Sequence, residues 1–246
     1  MDTYCLKVQY EGTAYSGFQI QPDQPTIQGK LEEALAKLAT ERIRVVGAGR
    51  TDAGVHSEGQ IVSFRSSGLT VPTAKLPYAL NRLLPGDIRV VGSERRAKNF
   101  HAQRSALEKT YRYQIYQGPF PNVFWRRYAL WERNDLNWPE MERCSRLLVG
   151  TLDFAAFAAS GSSVKTTVRS MHQIELDWEG PLKTIRFTAD GFLYKMVRNL
   201  VGTLLDVGRC KVGAKDIEAL LASGDRRLGS ATVAPQGLFL ESVRYA

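Results

Sequence analysis

The chain has 246 residues, 43% hydrophobic and 24% charged, with a net charge of +8 and a pI of about 9.5. That is enough apolar material for a packed core without a metal or disulfide staple. No run in the chain approaches the roughly 18 consecutive apolar residues of a membrane span.

Cys5, Cys144 and Cys210 lie far apart with no C-x-x-C pair. This argues against a zinc site or a disulfide framework and suits a reducing cytoplasm. The positive charge points to a polyanionic partner. Arginines outnumber lysines 22 to 11, and the planar guanidinium fork suits phosphates and base edges. Residues 1–106 carry 14 basic and 10 acidic groups, and residues 107–246 carry 19 and 15, so each half is +4. A basic tail is therefore excluded, while two basic halves facing one ligand are allowed. A solvated basic surface is the plainer alternative.

In chain order, Leu6–Tyr10 reads as a strand and the N-terminus lacks the apolar core of a signal peptide. Residues 11–24 form a loop rich in Gly, Gln and Pro. Thr26 looks like an N-cap, because Ile27, Leu31, Leu35 and Leu38 follow at helical spacing. Residues 44–46 begin a second strand, and 60–65 alternate as a third. A second helix carries Leu76, Leu80, Leu83 and Leu84 and stops at Pro85-Gly86. Residues 87–91 read as a fourth strand. The order β-α-β-β-α-β is that of a ferredoxin-like split unit.

The second half repeats the theme with an extra helix. Thr110–Tyr116 alternates as a strand. Asn137-Trp138-Pro139-Glu140 resembles a capping box, and Gly150 is a candidate C′ residue for that helix. Residues 168–178 and 182–189 suggest a hairpin. A helix is expected from Phe192 to Val207, a short one near 216–221, and a last strand over Leu238–Arg244. The expected fold is α+β, two ferredoxin-like halves with antiparallel sheets around a central basic cleft. The expected domains are residues 1–106 and 107–246.

The segment Gly49-Arg50-Thr51-Asp52-Ala53-Gly54-Val55-His56 joins two of these strands. It is not G-x-G-x-x-G, because Asp52 stands where the third glycine belongs. It is not a P-loop, because Val55-His56 follows Gly54 instead of Lys-Ser/Thr. What remains is a tight loop with Arg, Thr and Asp at its centre. Arg50 can hold Asp52 ionised, and a positioned carboxylate can act as nucleophile or base. On spacing alone, a surface turn with a weak ion pair competes with this reading. On the helix from Phe192, Tyr194, Val197, Leu200, Val201 and Leu204 form an apolar face. Lys195, Arg198, Asn199, Gly202 and Asp206 form a polar stripe that either lines a basic site or faces solvent. His56, His101 and His172 are too scattered for a metal site. Arg95-Arg96, Arg126-Arg127 and Arg226-Arg227 are candidate phosphate contacts.

The segment over residues 49–56 resembles the signature of the TruA family, tRNA pseudouridine synthase A. So do Tyr10-Glu11-Gly12-Thr13, Gly17-Phe18-Gln19, Thr26-Ile27-Gln28-Gly29-Lys30-Leu31-Glu32, Leu84-Pro85-Gly86-Asp87-Ile88 and Phe100-His101-Ala102. In the second half, Lys109-Thr110-Tyr111-Arg112-Tyr113, Met196-Val197-Arg198-Asn199-Leu200-Val201-Gly202 and Gly237-Leu238-Phe239-Leu240 resemble the family in its order. Phe18 departs from an expected Trp but keeps an aromatic ring.

The resemblance implies isomerisation of uridine to pseudouridine in tRNA, at positions 38, 39 and 40 of the anticodon stem-loop, by a homodimer and without cofactor. It makes Asp52 the catalytic carboxylate, either a covalent nucleophile or a base toward a glycal-like intermediate. It makes Tyr111 the active-site tyrosine, where the alternation of its strand alone favours Tyr111 and Tyr113 as core residues, and it places Arg198 near Asp52. Arg50 joins them as a substrate-binding candidate. The rival readings are a pseudouridine synthase of another RNA position, and a non-catalytic RNA-binding module. The second rival lacks the K/R-G-F/Y-G/A-F-V stretch of an RNA-recognition sheet.

Overall fold

A computed structural model describes residues 2–161 and 164–246. The elements are β1 (Asp2–Tyr10), α1 (Ile27–Ala36), β2 (Val46–Gly47), β3 (His56–Ser66), α2 (Leu76–Asn81) and β4 (Ile88–Arg96). Then come β5 (Glu108–Gln117), β6 (Leu130–Glu132), α3 (Trp138–Ser145), β7 (Gly150–Asp153), β8 (Val168–Asp177) and β9 (Leu182–Ala189). The chain closes with α4 (Met196–Gly208), α5 (Ala214–Ser223) and β10 (Leu238–Arg244). These form two compact units, residues 1–107 with 239–246, and residues 108–238. The class is α+β, and the two halves follow the ferredoxin-like theme. Among the described residues no helix is long and apolar enough to cross a membrane.

In the first unit β1 is central, antiparallel to β3 on one side and β4 on the other. β2 runs antiparallel along the outer edge of β3, pairing Val46 with Ser63 and Gly47 with Val62. This β4-β1-β3-β2 order is the split βαβ arrangement. The alternation of β1 turns Leu6 and Val8 into a core with Ile27, Leu31 and Leu35 of α1 and Leu76 and Leu80 of α2. Thr26 caps α1 as expected, its hydroxyl accepting from the Gly29 amide at 3.2 Å.

Two helices are shorter than the leucine spacing implies. α1 ends before Leu38, and α2 ends before Leu83 and Leu84, whose amides both bond the Leu80 carbonyl. Asn81 draws the chain out of helix by bonding both backbone groups of Val90 through its amide. The last strand, β10, was expected in the second half but pairs in parallel with β3, Phe239 opposite His56 and Leu240 opposite Ser57. Gly59 permits this approach, since a Cβ there would meet the Glu241 carbonyl oxygen at 2.3 Å.

In the second unit the sheet runs β5-β9-β8-β7, antiparallel throughout, with β6 parallel to β5. The hairpin of β8 and β9 is where the sequence places it. α3 begins at Asn137, whose side chain accepts from the Glu140 amide at 3.1 Å. Gly150 does not cap α3. A 3-10 turn at Arg146–Leu148 intervenes, and Gly150, at φ +120°, opens β7. α4 starts at Met196 rather than Phe192, because Lys195 adopts a left-handed backbone (φ 58°) that a right-handed helix cannot pass through. Tyr194 is consequently exposed and off the apolar face.

Candidate active site

Asp52 sits where the chain leaves β2 and returns as β3. The β2–β3 ladder continues to the Ala48 amide, which donates to the Ile61 carbonyl at 2.7 Å. The next rung is made by a side chain. Gln60 donates from Nε2 to the Gly49 carbonyl at 2.7 Å and accepts from the Gly49 amide at 3.2 Å. Thr51 is buried, its hydroxyl 2.8 Å from the Tyr10 hydroxyl, and its carbonyl accepts from the Phe18 amide at 3.0 Å. The Asp52 carbonyl accepts from the Val55 amide at 3.1 Å, which closes a turn with Gly54 at φ +77°. A positive φ at the third turn position is where glycine belongs.

The N-terminal loop holds the other side. Gly17, at φ +94°, lies so near that a Cβ would sit 2.6 Å from the Thr51 carbonyl oxygen. The loop is itself anchored by α1, whose first amides, Ile27 and Gln28, donate to the carbonyls of Gly17 and Phe18 at 3.2 and 2.9 Å. Those amides would otherwise lack helical partners. Asp52 is half-exposed between buried Thr51 and exposed Ala53, while Arg50 is exposed. The carboxylate is thus carried on a backbone pinned on both sides, yet solvent can reach it. Such a group can attack an electrophile or take a proton.

In the second unit Tyr111 lies on β5 opposite Phe187, buried, with the edge of its ring against Phe192 at 4.9 Å between centroids. Tyr113, two residues on and on the same face, donates to the Ala234 carbonyl at 2.8 Å. Burial pushes its phenol well above the usual range, opposed by the charge of Arg198. Arg198 stands in the first turn of α4, its Nε donating to the Val233 carbonyl at 2.8 Å. Lys109 precedes Tyr111 on that face, and burial, reinforced by the charge of Arg169 and opposed by Asp190, lowers its amine below the ordinary lysine range.

Much of the polar stripe on α4 serves packing. Asn199 is buried, donating to the Phe157 carbonyl at 2.7 Å and accepting from Arg226 and Thr232 at 3.0 and 2.6 Å. A Cβ on Gly202 would lie 2.1 Å from the Ala231 carbonyl oxygen, so the segment 229–234 lies directly on the helix. Arg226 therefore has a structural role. Arg227 pairs with Asp225 at 2.6 Å, Arg95 with Asp2 at 3.2 Å, and Arg96 with Glu94 at 2.8 Å. His56 is buried, accepting from the Gly12 amide at 3.0 Å and stacked on Phe239. It also lies 3.6 Å from the Glu11 carboxylate, so these contacts hold the N-terminal loop. Among the described residues no group of three or more His, Cys, Asp or Glu could hold a metal.

Asp52 and Arg50 thus share one loop of the first unit, and Tyr111 and Arg198 belong to the second. Sequence reasoning missed Tyr10, Gln60 and Gly17 as supports of the loop. The only signal was that Tyr10 and Gly17 fall in stretches that resemble the family.

A family model described as tRNA pseudouridine synthase matches residues 7–103 and 144–246. The chain belongs to this family. The matched stretches contain Asp52, Arg50 and Arg198, while Tyr111 falls between them. A relative from Bacillus licheniformis is 46% identical over 240 residues, 97% of each chain. One from Caldicellulosiruptor bescii is 40% identical over 245 residues, 100% of each, and one from Bacillus subtilis 41% over 242, 97% of each. All three are named tRNA pseudouridine synthase A. Among solved structures, a Cbf5-Nop10-Gar1 complex is similar at a TM-score of 0.35 and 14% identity, covering 82% of this chain and 54% of that one. A likeness that slight carries no argument.

Proposed function

We propose that this protein isomerises uridine to pseudouridine in tRNA at positions 38, 39 and 40 of the anticodon stem-loop, with Asp52 as the catalytic carboxylate. The observation that carries the reading is the loop itself: a half-exposed aspartate in the family signature, on a backbone tied at Gly49, Thr51 and Gly54. The N1–C1′ bond of the uridine breaks, the uracil turns, and a C5–C1′ bond forms. C5 loses a proton and N1 ends protonated, so the atoms balance without a co-reactant. Asp52 serves either as the nucleophile that holds the ring fragments or as the base. A stacked base is out of reach, so the target nucleotide leaves the stem first.

In this reading Tyr111 stacks on the flipped uracil and offers its hydroxyl to a polar atom. Arg198 pairs with Asp52, a contact that positions the carboxylate more than it stabilises the fold. Arg50, exposed beside Asp52, contacts the substrate. The two basic halves of the chain supply phosphate contacts, and the enzyme works in the cytoplasm as a homodimer.

The test is purified protein on unmodified tRNA, with the modified position mapped. Asp52→Ala should bind tRNA and form no pseudouridine; turnover by that variant refutes the catalytic assignment. Product mapped outside the anticodon arm would refute the site choice alone. A molar mass of one chain in solution would refute the homodimer.

A further inference from the structure

Gln60 is fully buried in β3, between strands whose neighbouring core positions are apolar. An unsatisfied amide there would be costly. Its main partner is unusual for a sheet residue, because Gly49 lies beyond the regular rungs of β2 and β3. Both ends of the carboxamide engage Gly49, the first residue at which the loop leaves the sheet, and Nε2 also reaches the Tyr10 hydroxyl at 3.4 Å. Tyr10 in turn holds the Thr51 hydroxyl. One side chain therefore replaces a ladder rung at Gly49 and, through Tyr10, fixes Thr51, the residue before Asp52.

We infer that Gln60 is a positioning residue for catalysis, setting the geometry in which the loop presents Asp52. This rests on the reading of Asp52 as the catalytic carboxylate. Apolar residues would fill the same space in the core, but they would leave the departure of the loop undefined. The donor end carries the role, since Nε2 serves both Gly49 and Tyr10.

Gln60→Glu tests this with little change in size. A carboxylate can accept from the Gly49 amide, but it can donate to the Gly49 carbonyl or to Tyr10 only when protonated. Burial raises the pKa at which that proton is taken up. Turnover of tRNA is measured from acidic to mildly alkaline pH as a ratio to the unmodified enzyme. At the alkaline end kcat should fall by about 10- to 100-fold with KM nearly unchanged, the scale of a misplaced catalytic group. Toward acidic pH kcat should recover. A loss that ignores pH, a loss confined to KM, or a full kcat in both Gln60→Glu and Tyr10→Phe overturns the proposal. If circular dichroism shows that Gln60→Glu does not fold, Tyr10→Phe decides. It removes only the hydroxyl joining Gln60 to Thr51, and should lower kcat several-fold at constant KM; an unchanged kcat overturns the proposal. Asp52→Ala is assayed alongside. Turnover there sinks the reading of the site, whereas an inactive Asp52→Ala with fully active Gln60→Glu and Tyr10→Phe sinks the role of Gln60 alone.

Discussion

Gly17 and Thr51 are in backbone contact: a β-carbon on Gly17 would stand 2.6 Å from the Thr51 carbonyl oxygen, and the same carbonyl accepts the Phe18 amide at 3.0 Å. Gly17 is also at φ +94°. Gly17→Ala must therefore displace either its own loop or that of Asp52. We expect a stability loss of about 1–3 kcal/mol and a fall in kcat of about 10-fold or more. Thermal melts and steady-state kinetics on tRNA check both; an equally stable, fully active variant contradicts the packing argument.

Asn199 joins three segments through one buried amide, at Phe157, Arg226 and Thr232. Removing it takes the donor from the Phe157 carbonyl and one acceptor each from Thr232 and the part-buried Arg226, which keeps the Ser230 carbonyl at 2.7 Å. Asn199→Ala should cost about 2–4 kcal/mol in urea denaturation. Asn199→Asp keeps the acceptor for Arg226 and Thr232 and should cost less. Equal losses in the two variants would mean that the Phe157 contact dominates.

Burial pushes the Tyr10 phenol from its usual value near 10 up to about 12, against the hydrogen bonds from Thr51 and Gln60 that lower it. The folded state therefore keeps this proton longer than the unfolded chain does. Stability from this group is complete below pH 10, erodes as pH rises through the interval from 10 to 12, and levels off above it. The loss amounts to about 2–3 kcal/mol. Tyr15, Tyr113 and Tyr245 are also raised, so the measurement compares the alkaline unfolding of the unmodified protein with that of Tyr10→Phe. The variant should show a shallower decline, and parallel curves would contradict the assignment.

The net charge of +8, with 22 arginines, predicts a phosphate-dominated interface with tRNA. Affinity should fall by about 10-fold or more between roughly 50 and 200 mM salt through counterion release. Fluorescence anisotropy on labelled tRNA measures the slope. Salt-insensitive binding would contradict the electrostatic reading.

By itself the sequence determined what is local. Thr26 caps α1 because an N-cap bond spans three residues, and β5 and the β8–β9 hairpin are written in alternation that a strand decodes directly. The residues of the Asp52 segment alone left a surface turn and a site both open, and the family resemblance of those eight residues made it the candidate. The tertiary structure alone decided what surrounds that segment. Tyr10, Gly17 and Gln60 lie 41, 34 and 8 positions from Thr51, Thr51 and Asp52 respectively, and alternation states which face a side chain takes, not what it meets there. A buried glutamine in a strand reads the same as one turned to solvent until its partners are known. The same limit hid the last strand. Leu238–Arg244 reads as a strand wherever it docks, and the partner was set by bare Gly59, which lets the Glu241 carbonyl come close enough for β10 to pair with β3. The start of α4 was hidden for a related reason: a left-handed lysine at 195 leaves no mark in hydrophobic periodicity, because the backbone there answers to its surroundings rather than to its own side chain.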